Sequence, residues 1–189
     1  MLEKDQTAPD FQNPLALLRA CHGRVERFAE LAARIADHLG DQGMPEDAAA
    51  TAAGRVLRYF DQAAPLHHAD EEADLLPRLR ARLPEPAPPA LRQLVSGLEA
   101  EHQRLDDHWQ GLRPLLERIA QGEAVPGEFR ARAEAFRDAQ LDHLARENRW
   151  ILPAAEQHLR AADWDAIGNA MARRRGVGQN TQTAGEAPS

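Results

Sequence analysis

Apolar residues recur along this chain at alternating steps of three and four, with polar positions between them. Leu15, Leu18, His22, Val25, Ala29, Ala32, Ala36 and Leu39 form one such stripe. Leu91, Leu94, Leu98, His102, Leu105, Trp109, Leu112, Leu116 and Ile119 form another. A step of three or four returns to the same side of an α-helix, so each stripe predicts a helix with one buried face. A further pattern runs through Phe129, Phe136, Gln140, His143, Glu147, Trp150 and Ala154. Breaks fall from Gly40 to Pro45, at the PEPAPP run of 84–89 and from Gln121 to Gly127, where Pro and Gly interrupt helical hydrogen bonding. Four long helices are expected, roughly at 14–39, 46–82, 89–120 and 127–159, with a short fifth around 163–175. Short connections make sequence neighbours antiparallel. The expected fold class is therefore all-α, an up-down-up-down four-helix bundle with a short extra C-terminal helix. Residues 1–13 read as a flexible N-terminus, 14–160 as the bundle, 161–175 as the C-terminal helix and 176–189 as a disordered tail.

Composition supports the helical reading. Ala and Leu dominate the apolar set, and both cost little in a helix. The net charge of -7 repels phosphate backbones, so nucleic acid is not an expected partner. A basic run, Arg173 to Arg175, reads as a solvated helix end whose cations suit the helix dipole. One cysteine, Cys21, excludes an internal disulfide framework. It lies one residue off the first stripe and reads as a packed small side chain. The polar start MLEKDQTAPD lacks the apolar segment of a signal peptide, and no stretch has the ~18 apolar residues of a membrane span. A cytoplasmic protein with no membrane partner is expected.

The stripes are interrupted by residues that do not belong in an apolar seam. The second helix carries LHHADEEADLLP at 66–77, and the fourth carries LDHLARENRWILP at 141–153. Six residues before Pro77 and Pro153 stand Glu71 and Glu147, and four residues before each glutamate stand His67 and His143. The pattern H-x3-E-x5-P thus occurs twice. His22 lies 45 residues before His67, and His102 lies 41 before His143. The chain is an approximate tandem repeat of helix pairs, His22 with His67 and Glu71, then His102 with His143 and Glu147. A repeat of this kind sets two similar ligand sets around one axis, which suits a binuclear site. An imidazole and a carboxylate one turn apart share a helix face. Each carboxylate has two oxygens and can bridge two ions. Imidazole and carboxylate donors suit iron, manganese or zinc. A lone seam histidine is ordinarily a hydrogen-bonded core residue, but an unpartnered glutamate there is costly. Six such residues in matching positions point to metal.

The neighbouring polar residues read otherwise. His68 is expected at a surface or boundary, about 100° round the helix from His67. Glu72 and Asp74 are expected in solvent. His38, His108 and His158 fall at helix ends or off the seam. Tyr59 is expected in core packing, and Trp150 in the apolar wall of the site beside Leu98, Leu105 and Trp109.

The residues quoted at 67–77, His22, EHQRL at 101–105 and HLAREN at 143–148 together resemble the hemerythrin-like HHE cation-binding family over about 12–160. The resemblance implies a four-helix bundle with a non-haem di-iron centre, its ligands being His22, His67, Glu71, His102, His143 and Glu147. Its cofactor would be two iron ions with an oxo or hydroxo bridge, although manganese or zinc fits the same donors. Oxygen-carrying hemerythrins differ, with five histidines that include an H-x3-H pair on the third helix. Here Asp106 stands four residues after His102. The set is more similar to the branch that includes iron–sulfur-cluster repair proteins, whose cysteine-bearing N-terminal segment has no counterpart here. The function read from this is binding or sensing of O2, NO or peroxide. The alternatives are a di-iron enzyme (oxidase, peroxidase or NO reductase) or an iron donor in iron–sulfur-cluster repair.

Overall fold

A computed structural model describes residues 10–39 and 46–177. The Gly40–Pro45 break, the first nine residues and the tail from 178 lie outside the described residues. Everything described is helix, turn or connection, with no strand among the described residues.

Helix α1 is Pro14–Leu39. Asn13 precedes it and accepts the backbone N–H of Ala16 through its side-chain oxygen (3.2 Å), filling one of the donors a helix start leaves open. Pro14 suits the first helical position because it has no N–H to satisfy. Helix α2 is a continuous run over 47–82, and α3 is Pro89–Ala120. Gly122, at φ 77°, ends α3 by turning the chain so that Glu123 N–H reaches back to the Arg118 carbonyl (2.9 Å). Helix α4 runs over 128–158, and α5 is Ala161–Arg174. Each of the four long helices packs on its sequence neighbour, and α1 also packs on α4, closing a ring. This is consistent with a four-helix bundle.

Both motif-bearing helices contain a local widening that the periodicity did not reveal. In α2 the N–H of Leu76 bonds the carbonyl of Glu71, and in α4 the N–H of Leu152 bonds that of Glu147. These are five-residue π turns in place of four-residue α turns. A third spans Tyr59–Ala63, closed by Ala64 N–H to the Tyr59 carbonyl. In every case a proline follows the closing residue: Pro65, Pro77 and Pro153. Proline removes one helical bond and its ring crowds the carbonyl four residues back. A wider turn relieves that crowding. Proline alone does not suffice, since Pro114 sits within α3 without such a turn.

Each π turn adds one residue to the helix and advances the register behind it. Trp150 therefore does not continue the buried stripe. It is 49% exposed, and Ile151 takes the core position instead. The expected place of Trp150 in the wall of the site is corrected accordingly.

The core divides into two apolar blocks. One holds Val25, Val56, Phe60, Trp109, Leu116 and Phe136, toward one end of the bundle. The other holds Leu18, Leu75, Leu79, Leu98, Ile151, Ile167 and Met171. Each such buried side chain contributes on the order of 1.5–3 kcal/mol. Between the blocks, in sequence and in space, lies a buried polar layer.

Candidate metal centre

The polar layer consists of His22, His67, Glu71, His102, His143 and Glu147, all buried. Helix α1 supplies His22, α2 supplies His67 and Glu71, α3 supplies His102, and α4 supplies His143 and Glu147. The two glutamates stand face to face with the imidazoles. Glu71 turns Oε1 to the Nε2 atoms of His22 and His67 (both 3.6 Å) and Oε2 to Nε2 of His102 (3.5 Å). Glu147 turns Oε2 to Nε2 of His143 (3.2 Å) and of His22 (3.4 Å), and Oε1 to Nε2 of His102 (3.9 Å). Glu71 thus offers one oxygen to each half of the site, whereas Glu147 sets Oε2 between His22 and His143 and turns Oε1 to His102.

None of these centre-facing atoms has a hydrogen bond. Ten buried side-chain nitrogens and oxygens among the described residues lack a partner, and nine of them belong to the six residues. Buried polar groups are normally satisfied, because each one left open costs about 1–3 kcal/mol. Nine in one layer are the mark of a site completed by something else. Cations fit, because every group present is a Lewis base. His22, His67, Glu71 and Glu147 can bring one atom each within 4.8 Å of one another, a spacing that admits a metal ion.

The outward ring nitrogens show how the imidazoles are held. The Nδ1–H of His22 donates to Oδ1 of Asn148 (2.8 Å), and that of His102 to Oε1 of Glu72 (2.6 Å). The Nδ1–H of His143 donates to Oε2 of Glu101 (3.3 Å). Such bonds fix the tautomer and leave the Nε2 lone pair facing inward. Asn148 and Glu72 each directly follow a centre glutamate, and each grips the first-helix histidine of the opposite half. The rings obey the same repeat. His22 and His67 meet edge-on at 5.0 Å, and His102 and His143 at 4.9 Å.

Protonation of the metal-free layer is divided. Burial raises Glu71 well above the usual carboxylate range, and the nearby Glu147 adds to the rise. Burial also opposes the charge on Glu147, but contacts from His102 and His143 outweigh it and hold that carboxyl well below its usual range. Burial lowers His67, and neighbouring His22 lowers it further. Burial disfavours charge on His102 and His143 too. In both, Glu147 together with Glu71 and Glu72, or with Glu101, reverses the outcome and raises the pKa.

Several sequence expectations need correction. Glu72 is half-buried and holds His102, so it is not simply solvated. Asp74 is buried and ion-paired to Arg174 and Arg78. Arg174 and Arg175 are not a free helix end, since both bind buried Asp70. His68, expected at a surface or boundary, is half-buried at the boundary. Its ring stacks on His102 at 4.0 Å, and burial followed by His102 and His143 pushes it down to about 3. His68, His102 and His143 could bring ligand atoms within 4.8 Å of one another. The residue after each centre glutamate was the available signal for Glu72 and Asn148. His68 and Glu72 form a competing H-x3-E pair in the sequence, which the proline register disfavours.

Two other residues settle as packing. Tyr59 stacks on Phe28 at 4.4 Å, and Cys21 is buried with Sγ accepting from Arg24 (3.0 Å). His68 also walls a cleft of about 40 Å³ lined by Phe60, Leu105, Asp106, Trp109 and Gln140. A larger groove of about 600 Å³, beside Arg104, His108 and Arg132, includes none of the six centre residues.

Known proteins bear on the same residues. The sequence model of the hemerythrin HHE cation binding domain matches residues 13–155, about three quarters of the chain. An uncharacterized protein of Haemophilus influenzae is 34% identical over 119 residues, covering 63% of this chain and 65% of that protein. The chain thus spans just under two thirds of that relative's length. With the family match running across all six converging side chains, the chain belongs to the hemerythrin HHE cation-binding family.

Proposed function

We propose that this protein binds two iron ions in the polar layer and uses them to bind or sense a small ligand of the O2, NO or peroxide class. The observation that carries the reading is the set of eight unpartnered, buried, centre-facing donor atoms on four helices, four imidazole Nε2 and four carboxylate oxygens. His22 and His67 would hold one ion, and His102 and His143 the other. Glu71 and Glu147 would bridge them, since Glu71 presents separate oxygens to the two halves and Glu147 meets imidazoles of both. The ring of helix contacts supports an up-down-up-down order for the bundle. Iron is favoured by the family together with imidazole and carboxylate donors, which manganese and zinc also accept.

When bound, the ion pair supplies open coordination positions and one-electron exchange. Two imidazoles and two shared carboxylate oxygens would give each ion four protein ligands, short of the six that iron commonly takes. The chain's own contribution is to orient the imidazoles and to restrict access. The cleft beside His68, which includes none of the six centre residues but meets the ring stacked on His102, has room only for a small ligand. About 40 Å³ accommodates a water or a diatomic, whereas pockets for organic substrates are ~300–1,000 Å³.

Elemental analysis of the purified protein, combined with absorption spectra of reduced and oxidised forms with and without O2 and NO, tests this reading. Two irons per chain and a reversible spectral change on exposure to gas are expected. Absence of bound metal after anaerobic loading with Fe(II) would contradict it. Turnover of NO or peroxide would redirect the reading to an enzyme.

A further inference from the structure

The C-terminal helix α5 lies beyond residue 155, where the family match ends. It nevertheless packs against the part of α2 that carries His67 and Glu71. Its apolar face, Ile167 and Met171, is buried with Leu75, Leu76 and Leu79. Gly168 lets α5 also lie close against the start of α1, because a Cβ there would stand 2.0 Å from the Phe11 carbonyl oxygen. At the end of the helix two arginines reach inward. Arg175 places Nη2 at 2.7 Å and Nη1 at 3.2 Å from the two oxygens of Asp70. Arg174 contacts Asp70 through Nη1 and Asp74 through Nη2 (2.7 Å).

Asp70 has no exposed surface, and it directly precedes Glu71. Asp74 lies inside the π turn that Glu71 opens. The two aspartates sit one turn apart, so the arginines grip the turn on both sides of the bridging glutamate. A π turn lacks the regular four-residue ladder that would otherwise hold it. A buried carboxylate left without its arginines would draw water or shift, and the backbone of Glu71 would move with it.

We propose that Arg174 and Arg175, acting through Asp70 and Asp74, fix the π turn that positions Glu71 and so couple docking of α5 to occupancy of the metal centre. The proposal rests on the two-ion reading above. The arginines are positioning residues and touch none of the six centre side chains. Coupling of this kind is reciprocal. If docked α5 steadies the metal, bound metal steadies α5. The C-terminal helix then reports the state of the centre to whatever reads the outside of the bundle.

The test compares the natural chain, the R174A/R175A variant and R82A. The Arg82 guanidinium holds the opposite end of the same helix through Asp163 (3.0 and 3.1 Å), so R82A controls for weakened docking in general. Each protein is loaded with Fe(II) without oxygen, and release to an excess of chelator is timed. Backbone hydrogen exchange of residues 161–174 is measured with and without metal. The expected results are release about tenfold faster for R174A/R175A, at the lower end of what outer-sphere partners of metal ligands usually contribute, and within about twofold of the natural chain for R82A. Exchange in α5 of the natural chain slows on loading. Equal release from both variants, or exchange in α5 indifferent to metal, overturns the coupling. The exchange measurement needs no variant, so it decides even if R174A/R175A does not fold. A natural chain that loads no metal refutes the two-ion reading itself, a result distinct from loading without coupling.

Discussion

His22 and His102 occupy the same place in the repeat, yet one rests on an amide and the other on a carboxylate. Asn148 holds His22 at 2.8 Å, and Glu72 holds His102 at 2.6 Å. The contrast extends to the paired histidines. Glu101 accepts from His143, whereas neither ring nitrogen of His67 has a partner. The position before His102 is Glu101, and the position before His22 is Cys21. One half of the centre is therefore backed by carboxylates and the other by neutral groups. The proton balance is uneven as well: against the opposing effect of burial, Glu147 foremost, joined by Glu71 and Glu72 or by Glu101, raises His102 and His143, whereas burial and then His22 lower His67. The motif sets where the inward atoms stand, and residues just outside it add to a charge balance that Glu147 leads.

The halves also differ in cover. Asp74 and Trp150 are equivalent, each three residues past a centre glutamate. Asp74 is sealed by α5, and Trp150 is 49% exposed. Leu75 and Ile151, one residue later, are both fully buried. Register is thus shared by the halves, and the surroundings are not.

The largest expected effect removes what the halves share. Glu147→Ala should abolish loading of both ions while the far-ultraviolet circular dichroism stays helical, because each half loses an oxygen. His67→Ala should abolish loading too, by taking one of the two imidazoles from the ion that Glu71 would tie to its partner. Two metals per chain retained by both variants would break the proposed site. Next comes the common register. Ile151→Ala and Leu75→Ala should each lower stability by about 2–5 kcal/mol in denaturant unfolding, the usual cost of emptying a fully buried aliphatic position. Trp150→Ala should stay within about 0.5 kcal/mol. The opposite ranking of Trp150 and Ile151 would mean that the π turn is absent.

A smaller effect separates the halves. Glu72→Gln should weaken metal affinity by about 10–100-fold, since it takes a carboxylate from behind a ligating histidine. Asn148→Ala should cost less, because the bond it removes carries no charge. Equal losses, read by competition with a chelator of known affinity, would erase the electrostatic distinction.

Acid gives the gentlest probe. In the metal-free protein the pKa values of His102, His143 and Glu71 are raised, so these groups hold protons that incoming cations must displace. Loading should therefore release protons. Affinity should fall as pH drops, beginning above the ordinary histidine value of ~6.5. In Glu72→Gln the acid loss should move to lower pH. An affinity flat from pH 8 to 5 would contradict the protonation pattern.

Much of this was legible in the chain. Steps of three and four located the helices and the seam histidines His22 and His102, and the repeated H-x3-E-x5-P located His67, Glu71, His143 and Glu147, because one-turn spacing translates directly into a shared face. What escaped depended on contacts across helices. Glu72 and Asp74 sit among acidic residues that read as solvated, and only packing brings His102 and Arg174 to them. Arg174 and Arg175 find Asp70 more than a hundred positions away, which no local pattern encodes. His68 acquired its place by stacking on a ring from another helix. The displaced Trp150 is a different case. Its signal was present in the proline six residues after each glutamate, but a strict 3.6-residue period has no room for a π turn.

Crystals grown from Fe(II)-loaded protein and measured at the iron absorption edge would test the central claim most directly. Two anomalous peaks about 3.5–4 Å apart between Glu71 and Glu147, one beside His22 and His67 and the other beside His102 and His143, are expected. Peaks on the protein surface, or a polar layer free of anomalous signal in loaded crystals, would contradict it.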